Sequence, residues 1–234
     1  MSKIPESANE FIEGSVLLIN KPLKWTSFDV VKKIRFLIKK KYSIKKIKVG
    51  HAGTLDPLAT GLLIICTGKA TKNISKIQNQ KKVYTGEIIL GASTPSYDLE
   101  TEIDKEFPID HITKDLIKNK SGKFIGKIKQ TPPIFSALKQ NGERLYKKAR
   151  RGEKPIVKSR TVYIDKFNVL NFKSPKLNFE ITCSKGTYIR SIAYDFGKSL
   201  KSGAHLSKLC RTEIGSYKLQ NSVNIEEFEK FLNK

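Results

Sequence analysis

The chain has little of what staples small secreted domains or anchors proteins in membranes. Only three cysteines occur in 234 residues, Cys66, Cys183 and Cys210. They are odd in number, far apart and set in or beside apolar stretches, which predicts buried free thiols and argues against a disulfide framework. The three histidines, His51, His111 and His205, are as scattered, and none is spaced with a cysteine as metal ligands are. No metal site is expected. No apolar run approaches the ~20 residues of a membrane span. The N-terminus, MSKIPESANEF, lacks the apolar core of a secretory signal. The expectation is a cytoplasmic protein with no membrane partner.

Acid is the other shortage. Lys and Arg number 45 against 22 Asp and Glu, a net charge of +23. Such an excess pushes a compact fold apart unless a polyanion neutralises it. Nucleic acid fits, because Lys and Arg contacts to phosphate release counterions. A Lys-, Ile- and Asn-rich bias also inflates the count, but does not explain why the acids fall behind. Apolar residues at 38% and aromatics at 9% are globular values. The length suits one large domain or two small ones.

Hydrophobic spacing sets out the elements. Residues 1–13 are polar and predicted to be loose. SVLLIN (15–20) reads as a strand running into Lys21-Pro22. TSFDVVKKIRFLIKKK predicts a helix capped by Ser27, with Asp29 in its first turn and Val30, Val31, Ile34, Leu37 and Ile38 on one face. Its other face carries Lys32, Lys33, Arg35, Lys39 and Lys40, and no acid follows until Asp56. That face is either a solvated surface or a phosphate-facing rim. Residues 82–91 and 124–130 read as strands, and 131–155 as an exposed basic loop with a short helix. Residues 160–172 and 176–184 read as an antiparallel pair, 187–200 as a helix and 204–219 as a strand. A short amphipathic helix ends the chain, with Ile225, Phe228, Phe231 and Leu232 on one side. No repeat and no domain-separating linker is visible. The expected class is α+β with a mixed, largely antiparallel sheet.

Two stretches carry candidate chemistry. VGHAGTLDPLATGLLIICTGKATK (49–72) packs His51, Thr54 and Asp56 into turn chemistry and then runs into an apolar segment, Gly61–Cys66. Asp-Pro bracketed by glycines is ordinary turn material. A loop held by a buried strand is also where functional side chains are commonly mounted. Gly-Lys in this stretch is not a phosphate loop: six residues separate Gly61 from Gly68, and Ala70 follows Lys69, where the motif needs four and a Ser or Thr. The second stretch is CSKGTYIRSIAYDFG (183–197). It puts Tyr188 and Arg190 at a strand–turn–helix boundary, and arginine is a fixed, bidentate partner for a carboxylate.

Together these stretches resemble the TruB family, the bacterial tRNA pseudouridine-55 synthases. GHAGTLDPLATGLLIICTGKATK resembles the family's catalytic motif nearly residue for residue, and LLINKPLKWTSFDVV its N-terminal motif. KVYTGEIILGASTPSYDLE resembles the next, with Pro95 where the family usually has the first Asp of T-D-T-x-D. QTPPIFSALKQNGERLYKKARRGE resembles the RNA-gripping insertion, and CSKGTYIRSIAYDFG and GAHLSKLCRT the last two motifs. The likeness spans about residues 14–220.

The resemblance implies the pseudouridine synthase fold: a central mixed, mostly antiparallel sheet flanked by helices, with an active-site cleft. It implies one catalytic domain over 14–234 with a basic RNA-binding insertion at about 131–155. It also implies no cofactor, and tRNA as partner, bound through the T-loop and T-arm. By resemblance Asp56 is the catalytic aspartate, Tyr84 the tyrosine that stacks on the target base, and Arg190 the arginine that pairs with the aspartate. Tyr188 and Leu209 line the base pocket, and His51 contacts displaced T-loop nucleotides. Asp98 is an acid near the flipped base. Lys21, Pro22 and Lys72 match motif positions that are structural or contact RNA. Many relatives carry a C-terminal PUA domain; the chain stops at Lys234, and the expectation is a stand-alone monomer without that domain.

The reaction so implied needs neither metal nor redox partner. It breaks the N1–C1′ bond, turns the uracil and rejoins it through C5. Three routes are open to the carboxylate: attack on C1′, attack on C6, or help in losing the C2′ proton toward a glycal. Tyr84 is the base expected to take the C5 proton. A second class of function is an RNA-binding or RNA-folding protein, for which the basic segments would suffice. Asp56, Tyr84 and Arg190 together favour the enzyme, because a pure binder has no use for that trio.

Overall fold

A computed structural model of the chain describes residues 4–233. The architecture is α+β, a central mixed sheet flanked by helices. It divides into two compact units, residues 1–84 with 209–234, and residues 85–208.

The first unit opens with α1 (Ala8–Glu13), in the segment expected to be loose. Ser7 caps the helix by accepting from Glu10 N. Phe11 is fully buried against the rings of Tyr42 and Phe228, and that burial orders an otherwise polar stretch. There follow β1 (Val16–Lys21), α2 (Ser27–Tyr42), β2 (Val49–His51) and β3 (Ala59–Thr67). A 3₁₀ turn (Gly68–Asn73), α3 (Ile74–Gln78) and the start of β4 (Lys82–Leu90) come next. The helix expected at Ser27 is capped one residue earlier. Thr26 and Asp29 form a reciprocal capping box, and the Ser27 side chain turns into the core.

Strand β3 is the axis of this unit. It pairs antiparallel with β1 along one edge, from Val16 opposite Cys66 to Lys21 opposite Gly61. Its other edge is shared, β2 covering Ile65–Thr67 and the second half of β12 (Ala204–Ile214) running parallel to Ala59–Gly61. Both faces of β3 are buried, which explains its unbroken apolar run. Leu63 and Ile65 pack with Val30, Ile34 and Ile38 of α2 and with Phe228. Leu62, Ile64 and Cys66 pack on the opposite face with Leu18, Ile77 and Ile214. Gly61 is required where β12 closes in: it has φ +100°, and a Cβ there would lie 2.4 Å from the Arg211 carbonyl oxygen.

The second unit continues β4 into a short pair, β5 (Ala92–Ser93) with β6 (Lys105–Glu106). It then builds α4 (Lys114–Gly122) and the antiparallel strands β7 (Gly126–Gln130), β10 (Arg160–Lys173) and β11 (Lys176–Cys183). The expected 131–155 loop is more ordered than sequence suggested. It contains β8 (Lys139–Gln140) and β9 (Glu143–Arg144), joined by Asn141-Gly142 at φ 55° and 82°. Asn-Gly accepts positive φ at both central positions, so it closes a tight hairpin. Helix α5 (Leu145–Arg150) follows. Helix α6 (Ile189–Ser199) precedes β12. The rings of Phe124, Phe167, Phe179 and Phe196 form the aromatic centre of this unit, at centroid spacings from 5.3 to 6.3 Å. Strand β13 (Tyr217–Lys218) and α7 (Ile225–Asn233) complete the chain in the first unit. None of the three cysteines is in a disulfide; Cys66 and Cys183 are buried and Cys210 is partly exposed.

Candidate active site

In the first unit, Asp56 stands on the loop between β2 and β3. Where β2 leaves β3, the carbonyls of Leu62 and Ile64 lose their ladder partners. Ala52 N donates to Ile64 O at 2.8 Å, and Arg211 Nε donates to Leu62 O at 2.8 Å. The same guanidinium reaches the loop, with Nη2 donating to Gly53 O at 3.0 Å and Nη1 lying 3.5 Å from Thr54 O. Arg211 is only 1% exposed. One side chain thus replaces a missing strand and grips the loop two and three residues before Asp56.

Two further elements hold the loop. Ser27 Oγ, in the first turn of α2, accepts from Leu55 N at 2.8 Å and donates to Leu55 O at 3.1 Å. Lys21, at the end of β1, is fully buried. Its ammonium donates to Trp25 O at 2.6 Å and Pro22 O at 2.8 Å, and lies 3.4 Å from Pro57 O. Lys24 N also donates to Pro57 O, and Ala59 N turns back to Asp56 O at 3.0 Å. Residues before and after Asp56 are therefore pinned, and the half-buried carboxylate is the group the loop presents.

Electrostatics follow from this packing. Burial pushes the Lys21 ammonium down to about 8, against the pull of the Asp56 charge, and the Arg211 charge pushes it the same way as burial. His51 is half-buried on β2. Burial first, and then the Arg211 charge, hold its imidazole below the usual histidine range, so it is neutral at pH 7.

Leu209 is opposite Ala59 in the parallel pairing of β12 with β3, which puts it beside the start of the strand that follows Asp56. Tyr84 is buried in β4. Lys72 is exposed in the 3₁₀ turn after β3. The loop of Asp56 precedes β3 and Lys72 follows it, at opposite ends of a nine-residue strand that spans roughly 26 Å. The fold does not bring Lys72 to Asp56. Lys21 is likewise not a surface contact; its buried ammonium is spent on carbonyls of the neighbouring turns.

The second unit has its own cluster. Arg190, in the first turn of α6, is 3% exposed. It donates through Nη1 to Ser96 O at 3.1 Å and through Nη2 to Phe135 O at 2.9 Å, and its Nε lies 3.5 Å from Asp98 Oδ2. Within this unit, then, Arg190 is the cation of Asp98. The other Asp98 oxygen accepts from Glu100 N at 3.0 Å. Pro95 leaves the turn tightly bonded: Thr94 Oγ1 and Ser96 Oγ both donate to Asp98 O, at 2.7 and 3.1 Å. Tyr97, at φ 64°, stacks on Tyr194 with 4.0 Å between centroids. Tyr188 caps α6 without a side-chain bond of its own. Instead the Gln130 amide brackets its backbone, accepting from Tyr188 N at 2.8 Å and donating to Tyr188 O at 3.0 Å. The Arg160 guanidinium lies 4.8 Å from the centre of the Tyr188 ring.

Residues 39–189 match the family model for TruB family pseudouridylate synthases, N-terminal domain. The chain belongs to the TruB family. A Flavobacterium johnsoniae protein named tRNA pseudouridine synthase B is 55% identical over 95% of this chain and 98% of its own length. One of the same name from Phocaeicola vulgatus is 52% identical over 96% of this chain and 95% of its own length. Among solved structures, the chain is similar to one in a Cbf5–Nop10–Gar1 complex, with a TM-score of 0.72 and 26% identity. It covers 97% of this chain and 56% of that one. It is also similar to one in an H/ACA RNP bound to a substrate RNA containing 2′-deoxyuridine, with a TM-score of 0.68 and 25% identity, over 94% of this chain and 54% of that one. This chain thus spans about half the length of those solved relatives.

Membership places the pinned loop in a pseudouridylate synthase, an isomerase. Sequence reasoning missed Arg211, Ser27 and Gln130. Arg211 left one faint signal, a long cation inside the otherwise strand-like KLCRTEI. Ser27 and Gln130 lie in stretches that resemble family motifs, but nothing local points to their partners, which are 28 and 58 residues away. Among the described residues, no group of three or more His, Cys, Asp or Glu side chains could hold a metal ion, and no helix is long and apolar enough to cross a membrane.

Proposed function

We propose that the chain isomerises uridine to pseudouridine in tRNA, at position 55 of the T-loop, with Asp56 as the essential carboxylate. Relatives named tRNA pseudouridine synthase B, matched over nearly their whole length, support tRNA as the substrate. The +23 charge supports an RNA partner. The observation that carries the residue assignment is the pinning of the Asp56 loop by Lys21, Ser27 and Arg211 from three separate elements. A carboxylate that must meet one carbon of a flipped nucleotide needs its backbone fixed beforehand.

In this reading the target nucleotide is everted from the loop, at a cost of a few kcal/mol. Stacking on Tyr84 returns roughly 1–3 kcal/mol. Tyr188 and Leu209 line the base pocket, Asp98 stands near the base, and neutral His51 meets the nucleotides left behind. The basic segment 131–155 grips the T-arm. Arg190 is the cation proposed to steady Asp56 during turnover. The N1–C1′ bond breaks, the C5–C1′ bond forms, N1 gains a proton and C5 loses one to Tyr84. The sum is redox-neutral.

The test is incubation of the purified chain with unmodified tRNA and no added cofactor, followed by carbodiimide-dependent primer extension. One stop, at the T-loop uridine, is expected for the natural chain, and none for Asp56→Asn, which still folds and binds tRNA. Substantial turnover by Asp56→Asn removes the catalytic assignment. Binding without any turnover by the natural chain favours the RNA-binding reading instead.

A further inference from the structure

The solvent face of α2 alternates rings and cations in a way its packing does not explain. Phe28, Lys32 and Phe36 follow one another at four-residue spacing, so they stand on one stripe, and Lys39 and Lys40 continue it. Phe28 is 54% exposed and Phe36 58%, and both point away from the apolar cluster that the helix builds with Val30, Ile34 and Ile38. The Lys32 ammonium sits 4.9 Å from the centre of the Phe28 ring. Three of the helix's other charges are committed elsewhere, and Lys41 is exposed like the stripe. Asp29 closes the cap on Thr26, Lys33 pairs with Glu229 at 2.9 Å, and Arg35 donates to Val49 O. The Lys32 charge also acts on Asp29, but among the described residues Lys32, Lys39 and Lys40 form no salt bridge.

We infer that this stripe is an RNA-docking surface, which engages unpaired nucleotides of the same tRNA that presents its uridine to Asp56. The inference rests on the tRNA reading above. Exposed rings interleaved with lysines suit RNA better than an apolar protein partner. Bases stack on the rings while phosphates meet the ammonium groups. Position supports this too. The stripe starts one residue after Ser27, whose hydroxyl holds the Asp56 loop, and runs for roughly 18 Å along the helix. RNA seated at Asp56 therefore has a basic, aromatic track leading away from it, and the segment from Val30 to Leu55 contains no acid to repel it.

The test measures anisotropy of labelled unmodified tRNA across a salt series for three proteins: the natural chain, Phe28→Ala/Phe36→Ala, and Lys32→Ala/Lys39→Ala/Lys40→Ala. All replaced side chains are exposed, and unchanged thermal melts confirm folding. Loss of each ring is expected to weaken binding about tenfold without altering the salt slope. Loss of the three lysines is expected to reduce the slope by roughly 2–3. In turnover the loss falls on KM rather than kcat. Wild-type affinity and slope in both variants, with pseudouridine still formed by the natural chain, overturns the stripe and leaves the enzyme reading standing. Absence of pseudouridine from the natural chain overturns that reading, while the binding arms still decide the stripe. If RNA affinity is unchanged but the ring variant abolishes self-association in sedimentation velocity, the stripe is a contact between copies and the inference fails.

Discussion

Ser27 and Leu55 exchange two hydrogen bonds through a single hydroxyl, accepting from Leu55 N at 2.8 Å and donating to Leu55 O at 3.1 Å. Both residues are buried. The contact ties the first turn of α2 to the residue immediately before Asp56. A helix start and the loop of Asp56 are thereby made one rigid piece.

Ser27→Ala deletes that tie and leaves a buried N–H and C=O without partners, at a cost of about 1–3 kcal/mol. Because the tie acts on the position of Asp56, kcat is expected to fall more than KM rises. Steady-state kinetics on tRNA and a urea melt together check it. A purely structural role would lower the melt midpoint and leave kcat alone.

Arg211→Lys keeps the charge but loses the planar fork that serves Leu62, Gly53 and Thr54. Destabilisation by about 2–4 kcal/mol is expected, since buried carbonyls lose their donors. Equal stability of the two proteins in chemical denaturation would show that these carbonyls do not depend on the guanidinium.

Lys21 titrates abnormally, and the sign of its effect can be worked out. Its pKa in the folded chain, about 8, lies below the ordinary value of 10.5. Between those values the unfolded chain binds more protons, so stability attributable to this group rises with pH across that window. Denaturation midpoints of the natural chain should therefore climb, relative to Lys21→Met, as pH goes from about 8 toward 10.5. A difference that stays flat over that range contradicts the burial of the ammonium.

The Tyr97–Tyr194 stack braces the turn that carries Asp98. Tyr194 is one helical turn beyond Arg190, so α6 holds the turn twice, through the guanidinium and through the ring. Tyr194→Phe keeps the stack and should retain turnover. Tyr194→Ala loses roughly 0.5–1.5 kcal/mol of ring contact and should lower kcat. Equal kcat in the two variants would detach the stack from the site.

Much of the fold was legible in local patterns. The periodicity of 27–41 marked α2, the apolar run after Gly61 marked β3, and the two strands around Lys173–Pro175 announced their pairing. Local pattern failed where the deciding contact was distant. The N-terminal segment reads as loose because a single Phe11 cannot form a core alone; Tyr42 and Phe228 supply it. Ser27 looks like a cap because the residue type caps helices, but Thr26 takes that role and frees Ser27 for Leu55. Lys21 and Lys72 look alike in a basic motif, although one is fully buried and the other is exposed at the far end of β3.

The sequence by itself determined the family, the apolar strand and the acid that precedes it, because these are matters of residue type and spacing along the chain. Tertiary structure decided which side chains hold that acid in place. Arg211, 155 residues beyond Asp56, becomes part of its loop only because β12 runs parallel to the start of β3 and sets the guanidinium beside the Leu62 carbonyl, which β2 does not reach. A buried carbonyl must find a donor wherever the chain can supply one, and spacing along a sequence does not say where that is.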